Sequence, residues 1–327
     1  MRNRKKKELC FFVLYGVVLV FLFLASSTDL IIKERENPVY PVSVIIGDSS
    51  DDDYVNFRKG MDRAALELNA DISFVSLYER NDAAQQTEMV LREQREGAKA
   101  IVLAPVKNGQ LDSLFEWGQM EAPVILTGAS MDGHKAYCAV AADYEAMGKR
   151  LGQEILAHHG NDQTVWLLEQ GRGNWMNRQF EAGIQAALSE ADCQAAYYNT
   201  GEDPDLGSFF FTRKKRGEED LVIACLDQES LLAAADHLAG SQAVRNNPVA
   251  GLYGRGTSVS LLNHLDQGRI TGICVTDDFT AGYISIQTAV EAASGKKKEE
   301  DVLLESWYIE RQDLRDPVFE KMLYPIE

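Results

Sequence analysis

The sequence predicts an α/β protein of two doubly wound parallel-sheet lobes, preceded by an N-terminal transmembrane helix. Three observations carry this. Short apolar runs alternate with amphipathic stretches from Tyr40 onward, the rhythm of βα units. The rhythm restarts near residue 143, and the runs are too many for one sheet of ordinary size. A chain of 327 residues also holds about two domains at ~150 residues each.

The first element is the apolar helix. Residues 1–8 carry Arg2, Arg4, Lys5, Lys6 and Lys7 against one acid, Glu8. No charged residue follows from Leu9 to Thr28, and a spanning helix takes about 20 residues. The basic flank predicts residues 1–8 inside and everything after Asp29 outside. Two readings stay open: an uncleaved single-pass anchor, or a secretory signal cut after the small residues Ala25 and Ser27. The length of the run favours the anchor. Cys10 lies at the start of the run, so it is misplaced for a lipoprotein. Residues 29–39 read as a polar stalk.

The body follows in βα order. Val42–Gly47 is a strand apolar on both faces, and residues 54–68 a helix with Phe57, Met61, Ala64 and Leu68 on one stripe. Ile72–Leu77 and Ala100–Ala104 are strands flanking the helix Ala83–Glu96, which stops at Gly97. A helix over Leu111–Met120, the strands Val124–Thr127 and Ala136–Ala141, and a helix over Tyr144–His158 complete the first half. Thr164–Leu168, Ala195–Asn199, Leu221–Cys225, Val249–Tyr253 and Ile270–Val275 are the strands of the second half. Between them lie helices over Arg178–Ser189, Leu206–Arg216, Gln228–Ala239 and Val259–Gln267. The helix Phe279–Ser294 and a short strand at Trp307–Ile309 follow.

Composition excludes several functions. The net charge is −17, and the basic N-terminus makes the rest more acidic still, so the body repels phosphate backbones and nucleic acid is not a partner. Residues 1–40 hold an apolar segment where a helix-turn-helix would stand. The five cysteines are too few for a disulfide scaffold and too scattered for a zinc site, and Cys138, Cys225 and Cys274 read as small buried hydrophobes. Gly171-Arg172-Gly173 lacks the third glycine of a dinucleotide turn. Gly251–Thr257 lacks the lysine of a phosphate loop, and Asp132 breaks a nucleophile elbow at Gly128–Asp132. The histidines form no zinc motif; His158 and His159 fit a helix C-terminus. The run Asp51-Asp52-Asp53 reads as helix capping. Neither an enzyme nor a cofactor is expected.

The chain resembles the type 1 periplasmic solute-binding proteins of the ribose- and galactose-binding kind, which share the fold of lactose-repressor-type ligand domains. The resemblance spans about residues 40–315. It rests on VSVIIGDSSDDDYVNFRKGMDRAALEL, GAKAIVLAPV, AVAADYEAMGKRLGQEIL, NRQFEAGIQAAL, LVIACLDQESLLAAADHL and GICVTDDFTAGYISIQTAVEAASGKK, in that order. It implies two lobes joined by a three-segment hinge, with crossings near residues 140–144, 274–278 and 306–312, and hence discontinuous lobes: 40–142 with 277–306, and 143–276 with 307–327. The lobes would close over one ligand at the strands' carboxyl ends.

Residue by residue, the resemblance places Arg178 and Asp227 in a pocket, with Leu226 where the family has Asn. Tyr54 takes the first-loop aromatic position, Tyr253 that of a hydroxyl-binding Asp, and Thr276 that of the second-crossing Gln, with Asp277 beside it. Trp175 joins Tyr54 and Tyr253 as a candidate apolar face. The ribose-type polar set is thus largely replaced. The reading is an extracytoplasmic, membrane-tethered binder of a small, sugar-like carbohydrate for an ABC permease. The alternative is a ligand sensor reporting to a membrane histidine kinase.

Overall fold

The computed structural model describes residues 2–27, 38–79, 81–106, 120–129, 135–170, 175–202, 205–216, 220–240, 249–297 and 300–325. The helix expected over 111–119, the stalk over 29–37 and the Gly171–Gly173 turn lie outside them. The chain divides into two units, Met1–Val39 and Tyr40–Glu327.

The first unit is a helix, α1 (Arg2–Ser27). Its described apolar side chains, Phe11 to Leu24, are exposed. Among the described residues no helix is long and apolar enough to cross a membrane. A helix therefore stands where the span was expected, and the span itself is not shown.

The second unit starts with β1 (Tyr40–Ile45), a 3₁₀ turn (Asp52–Tyr54), α2 (Val55–Leu68), β2 (Ala70–Val75), α3 (Ala83–Glu96), β3 (Ala100–Leu103), β4 (Val124–Thr127) and β5 (Cys138–Ala142). Next come α4 (Tyr144–His159), β6 (Val165–Glu169), α5 (Trp175–Glu190), β7 (Ala195–Asn199), α6 (Leu206–Lys215), β8 (Leu221–Cys225), α7 (Gln228–Gly240) and β9 (Val249–Arg255). The chain ends with α8 (Val259–Asp266), β10 (Gly272–Thr276), α9 (Asp278–Ala293), β11 (Val302–Leu304), β12 (Ser306–Glu310), a 3₁₀ turn (Arg311–Arg315) and α10 (Pro317–Leu323).

Two six-stranded sheets result, ordered β11-β5-β4-β3-β1-β2 and β12-β10-β9-β8-β6-β7. The first is parallel throughout. The second is parallel except at its edge, where β12 runs antiparallel to β10. An all-parallel sheet was expected; the short Glu305 link from β11 instead returns β12 beside β10. The chain crosses between sheets after β5, after β10 and between β11 and β12.

Period-two alternation explains the buried strands. Val42, Val44 and Val102 enter one apolar cluster, while Ile45, Ile101 and Leu103 enter another on the opposite face. Each sheet also carries a helix pair held at backbone contact by glycine. A Cβ on Gly60 would lie 1.9 Å from the Phe279 carbonyl oxygen, and one on Gly282 2.0 Å from that of Phe57, so α2 and α9 interlock. Gly148 against Phe180 and Gly183 against Glu145 repeat the device between α4 and α5, at 2.0 Å each.

The aspartate run does not cap α2. The 3₁₀ turn moves the N-cap to Tyr54, and no side-chain cap bond forms there. Asp51 pairs instead with Arg58. Cys138, Cys193, Cys225 and Cys274 are buried free thiols. At the C-terminus, Leu314 and Leu323 enter the second sheet's core. Within the second unit, Asn56 Nδ2 donates from α2 to the Leu323 carbonyl and Lys59 Nζ to that of Pro325, both at 2.9 Å.

Candidate functional site

The strands' carboxyl ends face a cavity of about 300 Å³. Asp48 and Asp53–Tyr54 follow β1, Thr127–Gly128 close β4, Asp227–Gln228 follow β8, Arg255 ends β9 and Thr276 ends β10, and all line it. This is where open α/β sheets present ligand-binding groups, because side chains there are freed from the ladder but held by rigid strands. Tyr144 and Asp278 enter from the helices that begin after the first two crossings. A smaller cavity of about 160 Å³ adjoins, sharing Tyr144, Gln228, Arg255, Thr276 and Asp278. Met176 from the second half lines the cleft opposite Gly128, whose added Cβ would sit 3.7 Å from its Sδ.

One polar network fixes the second-half wall. Asn177, 2% exposed, donates Nδ2 to Glu169 Oε1 at 3.0 Å and to Asp227 Oδ2 at 3.3 Å. Its Oδ1 accepts from Arg255 Nη2 at 2.5 Å, and Arg255 Nε donates to the Leu226 carbonyl at 2.9 Å. The backbone amides of Gln170 and Ser230 also donate to Asp227, at 2.9 and 2.7 Å. Tyr197 donates its hydroxyl to Glu169. Two buried carboxylates are thus satisfied by donors, which is the condition for keeping them dry. The guanidinium of Arg255 also lies 5.3 Å over the Tyr144 ring and 5.7 Å over Phe180.

The hinge wall is different. Burial pushes the Tyr54 hydroxyl well above the usual phenol range, and the Asp48 and Asp53 carboxylates add to it. Burial raises Tyr144 as well, opposed by Arg255. Asp278 is raised by burial, partly offset by hydroxyl donation from Thr257 and from Thr276, the latter at 2.9 Å. Neither phenol hydroxyl has a hydrogen-bond partner among the described residues.

The structure brings Tyr54, Asp227 and Thr276 together on the cleft. Four other expected residues stand elsewhere. Arg178 is exposed and outside the lining, and Asn177, one position earlier, turns inward. Neighbouring helix residues point about 100° apart, so the two cannot share a face. The same offset separates Asp277 from Asp278. Asp277 is the N-cap of α9 and accepts from the Thr280 amide and hydroxyl at 2.9 and 2.6 Å, leaving Asp278 to line the cleft. Tyr253 was expected at the carboxyl end of its strand, but β9 continues to Arg255. Tyr253 is therefore fully buried mid-strand, with its hydroxyl 2.8 Å from His159 Nε2. Trp175 stays behind the wall, edge-on to Tyr144 with ring centres 6.1 Å apart.

Asn177, Arg255, Tyr144, Gln228 and Asp278 were missed. Tyr144 and Asp278 had one usable signal: each is adjacent to an aspartate that caps a helix at a crossing.

The profile of the periplasmic binding protein domain matches residues 42–297, and the chain belongs to that family. Solved structures share the fold. A solute-binding protein of an ABC transporter from Agrobacterium vitis with bound D-fucose superposes with a TM-score of 0.75 at 18% identity, covering 87% of this chain and 100% of that one. Another from the same organism, bound with α-D-tagatopyranose, gives 0.74 at 17%, covering 88% and 100%. One from Bacillus halodurans with myo-inositol gives 0.72 at 17%, covering 88% and 99%. All three are solute-binding proteins of ABC transporters. No protein of curated function matches the chain.

Proposed function

We propose that this chain is an extracytoplasmic receptor for a sugar-like small molecule, which it holds in the cleft and delivers to an ABC importer. The observation that carries the reading is the cleft itself. A pre-ordered Asn177–Asp227–Arg255 network, with the Tyr144 ring under the Arg255 guanidinium, shares a cavity at the crossings with Tyr54. Planar rings suit the apolar faces of a sugar and fixed polar groups its hydroxyls. Ligands of this kind in the related structures support it. Residues 40–142 with 277–306, and 143–276 with 307–327, act as two lobes. Closing them over ligand is a hinge motion driven by contacts made only when closed.

The helix α1 is the tether, holding the body outside the membrane. Its exposed apolar side chains from Phe11 to Leu24 and its basic flank support this. A tethered receptor suits a fixed partner, which favours a second reading: the same binding event reported to a membrane histidine kinase. A thermal-shift screen of the full chain in detergent against monosaccharides and polyols tests the binding claim. A dose-dependent rise with one or a few of them is expected. No rise with any of them refutes it.

A further inference from the structure

Asp278 stands at the second crossing and lines both the main cleft and the side cavity. Its carboxylate accepts from the hydroxyls of Thr257 and Thr276, and it has no ion pair among the described residues. Asp277 and Asp53 are the charged groups acting on it, and both reinforce burial in disfavouring its ionised form. Arg255, the sole cation among the described residues lining either cavity, is engaged by Asn177 and the Leu226 carbonyl. Around the same floor stand Tyr54 and Tyr144, whose hydroxyls have no partner among the described residues.

A neutral polyol could answer the two phenols. It would leave the Asp278 charge uncompensated in a cleft that closure dries further, and an unpaired charge in such a place is costly. A protonated amine answers all three groups. Its charge balances the carboxylate and its N–H bonds reach the phenol oxygens, while the Tyr144 ring face is already taken by the Arg255 guanidinium. On the reading that the cleft takes a sugar-like ligand, we propose that this ligand carries a protonated amine, seated on Asp278 between Tyr54 and Tyr144.

Titration calorimetry on the full chain in detergent compares glucosamine, galactosamine and mannosamine with their parent hexoses and N-acetyl derivatives. It is run at about pH 6, where the amine is charged, and at about pH 9.5, where it is neutral, since amino groups of this type titrate near ~8. At least one amino sugar should bind about 10-fold or more tighter than both neutral forms at the lower pH, the usual worth of a charge-assisted hydrogen bond. The preference should vanish at the higher pH and in Asp278→Asn. The pH arm needs no variant, so it stands even if the variant folds poorly. A parent hexose or N-acetyl form that binds as tightly as its amine at pH 6 overturns the amine and leaves the sugar reading standing. No binding by any of the three classes overturns the sugar reading, and this inference with it.

Discussion

Replacing Asn177 by leucine tests the polar wall of the cleft. The two side chains share one branched heavy-atom skeleton and leucine is the bulkier, so the change removes hydrogen bonds without opening a cavity. Three bonds to charged partners disappear: those to Glu169, Asp227 and Arg255. Each such bond is worth about 1.5–3 kcal/mol, and removing one partner from a buried charged group costs about 3–5 kcal/mol in all. We take the second, lower figure because the Gln170 and Ser230 amides still hold Asp227, and Tyr197 still holds Glu169. The expected loss of about 3–5 kcal/mol lowers Tm by roughly 5–8 °C for a body of this size. Thermal and urea unfolding of the full chain in detergent measure it. Asn177→Asp should be worse near neutral pH, because it sets a third carboxylate beside two. Crowding raises the folded-state pKa of such a cluster, so its stability should recover as the pH falls. A loss under about 1 kcal/mol for the leucine variant would refute the claim that Asn177 joins the wall together.

Other outcomes follow from the same structure. Gly148→Ala and Gly282→Ala should each lower Tm, because the new Cβ meets a carbonyl oxygen at 2.0 Å and the helix pair must part, a strain of about 1–3 kcal/mol; unchanged melting would contradict the interlocked packing. Asp278→Asn should raise Tm near neutral pH. Burial raises the folded-state pKa of Asp278, so wild-type stability falls as pH rises through that value while the amide is indifferent, and the gap should close below about pH 4. The buried thiols Cys138, Cys193, Cys225 and Cys274 should resist alkylation in the folded chain and react after denaturation, which mass spectrometry counts. Lys59→Ala removes a bond from α2 to the Pro325 carbonyl and should speed hydrogen exchange at the C-terminal helix without changing the core.

The fold was legible in the sequence because its signal is periodic. Both-face burial writes continuous apolar runs such as Ala100–Leu103, and amphipathic helices write stripes such as Phe57, Met61 and Ala64. The short β11 and the terminal α10 left no comparable trace, being too brief for a period to show. The site was less legible for a geometric reason. A one-residue offset rotates a helical side chain by about 100°, enough to exchange Asn177 for Arg178 and Asp278 for Asp277. A strand two residues longer than its apolar run likewise carried Arg255 to the cleft and left Tyr253 in the core. Arg255 and Asn177 make sense only across the sheet, since they are 78 positions apart in the chain.

The central claim is that a sugar-like ligand is held between the lobes against the Arg255 wall. Calorimetric titration of the full chain and of Arg255→Ala tests it most directly, using whichever sugar gives the largest thermal shift. The account predicts one site on the wild type, with a negative heat-capacity change from burying the ligand. It predicts affinity at least about 10-fold weaker in the variant, since a charged hydrogen-bonding group is lost from the wall. Equal affinity in the two proteins would contradict it.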